Sequence, residues 1–194
     1  MSIIVGLTGP TGAGKSSISE LAGRLGFTVI DCDAVARDES KNEQMLCLLC
    51  EYFGDNIVKD GVLDRAALAA AAFGSEQGRE ALNRITLPFI VKRIEQMIAG
   101  KPRVLLDAPT LFESGLSLRC DKIVSVLAPE TVRRKRIIKR DGLNDEAADR
   151  RLSAAKDDEF FSSQSDYVII NDGSEQELIT KAEVILQNII TEGN

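Results

Sequence analysis

Residues 3–17 read IIVGLTGPTGAGKSS, a β-branched run entering a glycine-rich turn that Lys15 and Ser16 close. The spacing Gly9, four residues, then Gly14-Lys15-Ser16 gives each residue type a physical use. Glycines let backbone N–H groups turn inward and approach an anion closely. A helix starting at Lys15 aims the positive end of its dipole at the same point. The stretch therefore predicts a buried strand over 2–8, a phosphate-holding loop and a helix. Gly12, Ala13, Gly14, Lys15, Ser16 and Ser17 would hold the phosphates of a nucleotide, and the Ser16 hydroxyl would ligate Mg²⁺. A flexible turn could match the pattern by chance, but its place between a strand and a helix favours nucleotide binding. The loop alone leaves open whether phosphate is transferred, hydrolysed or sensed.

Outward from the loop, Ile18, Leu21, Ala22 and Leu25 fall at helical spacing, and Gly26 stops that helix. Residues 27–30 (FTVI) read as a second strand running into Asp31-Cys32-Asp33. Residues 34–99 are alanine-rich and helical in pattern, with breaks at Gly54, Gly61, Gly74 and Pro88 and no clear strand. Strand rhythm resumes at 104–106, before Asp107, and at 122–127, before Ala128-Pro129. Pro129 suits the first turn of a helix through Arg140, and another starts near Asn144-Asp145. Residues 167–170 form a last strand. Ser174 to Glu177 is a capping box for a closing helix with its stripe at Leu178, Ala182, Ile185, Leu186 and Ile189. Alternating strands and helices imply a three-layer α/β fold with a five-stranded parallel sheet and a helical insertion.

The chain has 194 residues, 44% hydrophobic and 28% charged, with a net charge of −6. That acidity argues against a broad electrostatic grip on nucleic acid or an anionic membrane. No apolar run nears the ~20 residues of a membrane span. No basic stretch followed by an apolar region opens the chain, so a cytoplasmic protein is expected. There is no histidine, which excludes histidine general bases, histidine-containing triads and histidine zinc sites. Four cysteines, Cys32, Cys47, Cys50 and Cys120, do not make a disulfide scaffold. Cys47-Leu48-Leu49-Cys50 has the spacing of a redox dithiol but lies in a helical apolar stretch, so buried structural thiols are expected.

Open parallel sheets bind ligands beyond the carboxyl ends of their strands. Asp31 and Asp33 follow the second strand, and Asp107 follows the third in the manner of a Walker B carboxylate. Asp33 could accept a proton from a hydroxyl about to be phosphorylated. Capping of the next helix is the competing role for both Asp31 and Asp33, more strongly for Asp31. Arg133, Arg136 and Arg140 share one helical face in the single concentrated basic segment; a solvated face or a nuclear signal would also fit, but a lid closing over a triphosphate is favoured for at least one of them. Arg150 and Arg151 are weaker candidates for that role.

The sequence lacks the Asn-Lys-x-Asp tetrad of guanine-reading switches, and its organisation is that of a small-molecule kinase. Five stretches carry a closer likeness: VGLTGPTGAGKSSISELAGRLGFTVIDCDAVAR at 5–37, DGVLDRAAL at 60–68, VLLDAPTLFESGL at 104–116, RDGLNDEAADRRL at 140–152 and DYVIINDGS at 166–174. In these the chain resembles the dephospho-coenzyme A kinase family. The resemblance implies a P-loop core of residues 1–33, 100–128 and 164–194, an acceptor domain at 34–99 and a lid at 129–163. It implies ATP as donor with Mg²⁺, and dephospho-coenzyme A as acceptor through its ribose 3′-hydroxyl. It further implies Asp33 as base, Lys15 and Arg140 on the phosphates, Asp107 and Phe112 near the acceptor, and residues 171–173 near adenine. A monomer or weak homo-oligomer is expected. Leu87 before Pro88, Cys32 between the aspartates and Ala155-Lys156-Asp157 depart from the family pattern. An ATP-binding module, or a kinase with a drifted acceptor, is the alternative.

Overall fold

The computed structural model describes residues 2–59 and 61–193. Met1, Asn194 and Asp60, the first residue of the DGVLDRAAL stretch, lie outside the described residues. The chain opens with β1 (Ile3–Thr8), α1 (Lys15–Arg24) and β2 (Thr28–Asp31). Four helices follow, α2 (Cys32–Glu39), α3 (Glu43–Phe53), α4 (Arg65–Ala72) and α5 (Glu76–Ile98), with strands β3 (Val58–Lys59) and β4 (Val62–Leu63) between α3 and α4. Then come β5 (Arg103–Asp107), β6 (Lys122–Leu127), α6 (Glu130–Asp141), α7 (Asp145–Ser153), α8 (Asp158–Ser162), β7 (Tyr167–Ile170) and α9 (Glu175–Glu192). These elements make two compact units, one of residues up to Ile30 and from Gly100 on, the other Asp31–Ala99.

In the first unit the sheet order is β2-β5-β1-β6-β7. The pairings of β1 with β5 and β6, and of β6 with β7, are all parallel. Parallel strands are covered on both faces, which is why β1 and β6 read as largely apolar runs. One face packs Val5, Leu7, Val124, Val126 and Ile169 against Ile18 and Leu21 of α1 and Ala182 and Leu186 of α9. On the other face a Cβ at Gly6 would stand 2.6 Å from Leu111 Cδ2 and 2.8 Å from Cys120 Sγ, so only glycine admits that close packing. The chain lays β2 and β5 to one side of β1 and β6 and β7 to the other. The loop after β1 thus stands where strand order reverses, the place where open α/β sheets take ligands.

The second unit is helical, as its alanine-rich pattern predicts, with two corrections. Val58–Lys59 and Val62–Leu63 pair antiparallel, Val58 opposite Leu63 and Lys59 opposite Val62, where the sequence suggested no strand. Two residues per strand are too few to show an alternating pattern. Pro88 does not break a helix either, because α5 runs through it. A proline inside a helix removes one hydrogen bond and crowds the carbonyl four residues earlier. Here tertiary packing outweighs that, since Leu82, Ile85 and Phe89 of α5 pack on the buried cluster Met45, Leu49, Ile57 and Leu68. The thiols of α3 also differ from expectation: Cys47 is exposed and Cys50 half-buried, since the apolar face of α3 runs through Met45 and Leu49. Pro129 sits one position before α6, as its N-cap. Among the described residues no helix is long and apolar enough to cross a membrane.

Candidate active site

The loop after β1 adopts the backbone that its glycines allow, with φ of +79° at Gly12 and +110° at Gly14. A Cβ on Gly12 would sit 2.9 Å from the Arg133 carbonyl oxygen, and one on Gly14 would sit 2.5 Å from Asn171 Nδ2. Glycine is therefore required at both positions by conformation and by space. The helix that follows is also unusual. Side chains cap α2, α3 and α4 through Asp31, Asn42 and Asp64, but α1 opens on Gly14 with no side-chain cap. α6 after Pro129 also lacks a side-chain cap, but at α1 the positive-φ glycines Gly12 and Gly14 adjoin first-turn amides that, with the helix dipole, suit an anion. Lys15 bends back over the loop, its Nζ donating to the Gly9 carbonyl at 2.7 Å.

Ser16 is exposed at the start of α1, whereas the Ser17 hydroxyl donates to Glu175 Oε1 at 2.8 Å. One turn beyond Ser16, Ser19 donates to Asp107 Oδ2 at 2.7 Å. That bond brings the Asp107 carboxylate to the α1 residue about one turn beyond Ser16. Sequence reasoning missed Ser19; its signal was a hydroxyl three residues after Ser16 on the same helix face. The donor set is of hard oxygens, which suits Mg²⁺. Among the described residues no group of three or more Cys, Asp or Glu could hold a metal alone, and Mg²⁺ is usually bound by one or two protein oxygens plus substrate phosphates.

The two aspartates after β2 divide their roles. Asp31 is the cap of α2: its Oδ1 accepts from the Ala34 amide at 2.8 Å, and it pairs with Arg37 at 3.6 Å. Asp33 is exposed in the first turn of the same helix and is not the capping residue. Within that second unit a cavity of about 260 Å³ is lined by apolar residues including Met45, Leu49 and Leu82 and by Arg37 and Arg65. Arg65 is anchored to the end of α2, donating to the Arg37 carbonyl at 3.3 Å and to Ser40 Oγ at 3.2 Å.

The basic face of α6 splits. Arg133 is buried, its Nε donating to the Ala128 carbonyl at 3.1 Å. Arg136 reaches the carbonyls of Gly12 and Ala13, each at 3.3 Å. Arg140 instead forms a two-pronged pair with Asp141 at 2.7 and 2.9 Å, and Arg151 joins the same carboxylate at 2.6 Å. The Arg140 bond holds the Asp141 carboxyl below its usual range. Phe112 stacks edge-on to Phe160, centroids 5.7 Å apart, and lies 6.5 Å from Phe161, so its ring is part of a packed aromatic group.

This cradle sits in a chain with clear relatives. A family model described as dephospho-CoA kinase matches residues 3–177. The chain belongs to the dephospho-CoA kinase family. The family's enzyme from Corynebacterium glutamicum is 34% identical over 98% of this chain and 98% of its own. Among solved structures, the protein TT1252 from Thermus thermophilus is 31% identical with a TM-score of 0.82, covering 96% of this chain and 97% of that one. The dephospho-CoA kinase from Campylobacter jejuni, 28% identical, aligns over 100% of both chains with a TM-score of 0.71. The family is one of kinases, which makes ATP a substrate.

Proposed function

We propose that this chain transfers the γ-phosphoryl group of ATP to the ribose 3′-hydroxyl of dephospho-CoA, giving CoA and ADP in the last step of CoA synthesis. The observation that carries this is the uncapped, glycine-shaped loop on β1, found in a chain of this family. In the reaction the 3′-O–H bond breaks and its proton passes to the Asp33 carboxylate. The oxygen bonds to the γ-phosphorus as the bond to the β–γ bridging oxygen breaks, and ADP leaves. Lys15 and the amides of residues 12–17 would hold the triphosphate and balance charge on the leaving oxygen. Ser16, with Asp107 directly or through water, would hold Mg²⁺, which would neutralise negative charge on the triphosphate when bound. Arg140 would join the phosphates from the 129–163 segment, exchanging Asp141 for them.

The spacing along α2 supports the acceptor assignment. Asp33 and Arg37 are four residues apart, hence on one face and one turn apart. A nucleotide whose 3′-hydroxyl lies at Asp33 carries its 5′-diphosphate about that far away, where Arg37 and Arg65 offer guanidinium groups. The apolar residues lining the same cavity suit the uncharged remainder of the acceptor.

A coupled assay of ADP release with magnesium-ATP, with and without dephospho-CoA, tests the proposal, with the product's 3′-phosphate located by mass spectrometry. Acceptor-dependent release with that product is expected. ATP binding without any acceptor effect would leave only a nucleotide-binding module.

A further inference from the structure

The glycine loop is held from behind by side chains that none of the steps above uses. The Ala13 carbonyl accepts from Asn171 Nδ2 at 2.7 Å and from Arg136 Nη1 at 3.3 Å. The same Nη1 also reaches the Gly12 carbonyl at 3.3 Å, and Arg136 Nη2 donates to Asn171 Oδ1 at 3.3 Å. The three groups thus close a ring. Asn171 is 3% exposed and is tied to the sheet, its own amide donating to the Leu127 carbonyl at 2.7 Å. Arg136 makes no ion pair among the described residues; the hydrogen bonds of its guanidinium go to two loop carbonyls and one amide oxygen. The backbone of α6 approaches the loop closely at Arg133, where a Cβ on Gly12 would be 3.1 Å from the Arg133 Cα. The guanidinium of Arg136, one turn on, is therefore carried to the loop by a fixed helix.

We infer that Arg136 and Asn171 are positioning residues for the phosphates of the donor nucleotide, acting through the loop backbone. A trans peptide unit is planar, so its carbonyl and the next residue's N–H point in opposite directions. Two donors on the Ala13 carbonyl therefore aim the Gly14 N–H away from the brace, toward the phosphate side. Peptide units at glycine are otherwise free to flip, because Gly12 and Gly14 carry no Cβ to resist it. The guanidinium also places a positive charge behind the cradle, shielded on one side by protein, where it attracts an anion more strongly than a solvated charge would. A brace of this kind acts on any phosphate chain the loop holds, whatever base is attached.

This inference rests on the loop being the donor phosphate site, and the test separates the two. The affinities of ATP, inorganic tripolyphosphate and adenosine, with Mg²⁺ present, are measured by titration calorimetry on the wild type, Arg136→Met, Arg136→Lys and Asn171→Ala. Loss of a charge-assisted hydrogen-bond set is expected to weaken ATP and tripolyphosphate by a similar factor, about 10- to 100-fold for Arg136→Met. Arg136→Lys, which keeps the charge without the fork, recovers part of that loss. Asn171→Ala added to Arg136→Met costs less than the product of the single losses, because both act on one carbonyl. Unchanged tripolyphosphate affinity alongside weakened ATP binding would overturn the inference and make Arg136 a contact of the base. A fall in kcat with all affinities unchanged would overturn it as well. Should Arg136→Met melt early, Arg136→Lys carries the same comparison with the stem retained. A wild type that binds neither ATP nor tripolyphosphate rejects the donor site itself.

Discussion

The loop after β1 and the cavity of the helical unit present different chemistry to a ligand. The loop offers backbone amides whose direction is fixed from behind, by Asn171 at 3% exposure and by Arg136 on the Gly12 and Ala13 carbonyls. The cavity offers side chains: apolar ones including Met45 and Leu49, and those of Arg37 and Arg65. Backbone recognition suits a phosphate chain, which has the same shape on every nucleotide. Side-chain recognition suits an acceptor that must be told from other nucleotides, because pockets and charged forks can be varied one residue at a time.

Substitutions that separate the two sides should have the largest effect at the centres of charge transfer. Asp33→Asn removes the proton acceptor while keeping shape, and kcat should fall about 10²- to 10⁴-fold, the usual worth of general base catalysis. ATP affinity by calorimetry should stay at its wild-type value. Lys15→Met should lower kcat about 10²- to 10³-fold and weaken ATP binding too, since its charge meets the phosphates in ground and transition states. Equal loss of ATP affinity in both variants would erase the division between donor loop and acceptor helix.

The next step down concerns the acceptor alone. Arg65→Met should raise the KM for dephospho-CoA about 10- to 100-fold, as expected for losing a charge-assisted hydrogen bond to a diphosphate. The KM for ATP should not move. A smaller change is expected from Ser19→Ala, which frees Asp107 from the bond at 2.7 Å. Ser19 acts on the metal only through Asp107, so part of that bond's worth is expected there, and about 1 kcal/mol corresponds to roughly a fivefold shift. That shift should appear in the Mg²⁺ concentration giving half-maximal rate, and its absence would detach Asp107 from the metal.

The same division governs what the sequence could disclose. Glycine spacing dictates local backbone, so GPTGAGKSS placed the loop, and the apolar runs at 3–8, 104–106 and 122–127 placed the central strands. Asp31 and Asp33 could both be named, and the reading that capping falls more to Asp31 agrees with its bond to the Ala34 amide. Long-range pairs were out of reach: the bond of Ser19 to Asp107 spans 88 residues and that of Arg136 to Ala13 spans 123. Pro88 misled because propensity is local, whereas the packing of α5 on Met45, Leu49, Ile57 and Leu68 is not. The basic face of α6 was visible as a period, but its split between loop and Asp141 is set by where the helix lies against the sheet.

The smallest expected effect compares a thiol from each unit. Cys120 packs behind β1 against Gly6, and its Sγ donates to the Leu116 carbonyl at 3.5 Å. Burial, with Asp121 and Asp166 adding to it, pushes this thiol from about 9 up to about 12. Cys47 is exposed on α3 and donates only to Glu51 at 3.7 Å. Because the thiolate is the reactive form, iodoacetamide at pH 8 should label Cys47 before Cys120, with the order erased in denaturant. Between about pH 9 and 12 the unfolded chain releases the Cys120 proton while the folded chain keeps it. Stability must therefore fall as pH rises through that window. Cys120→Ala should melt with a shallower pH slope there, whatever its melting temperature at pH 7. Equal labelling of Cys120 and Cys47 in the folded protein would mean that the layer behind β1 opens as readily as the surface of α3. The sheet could not then hold its loop as rigidly as backbone recognition of phosphate requires.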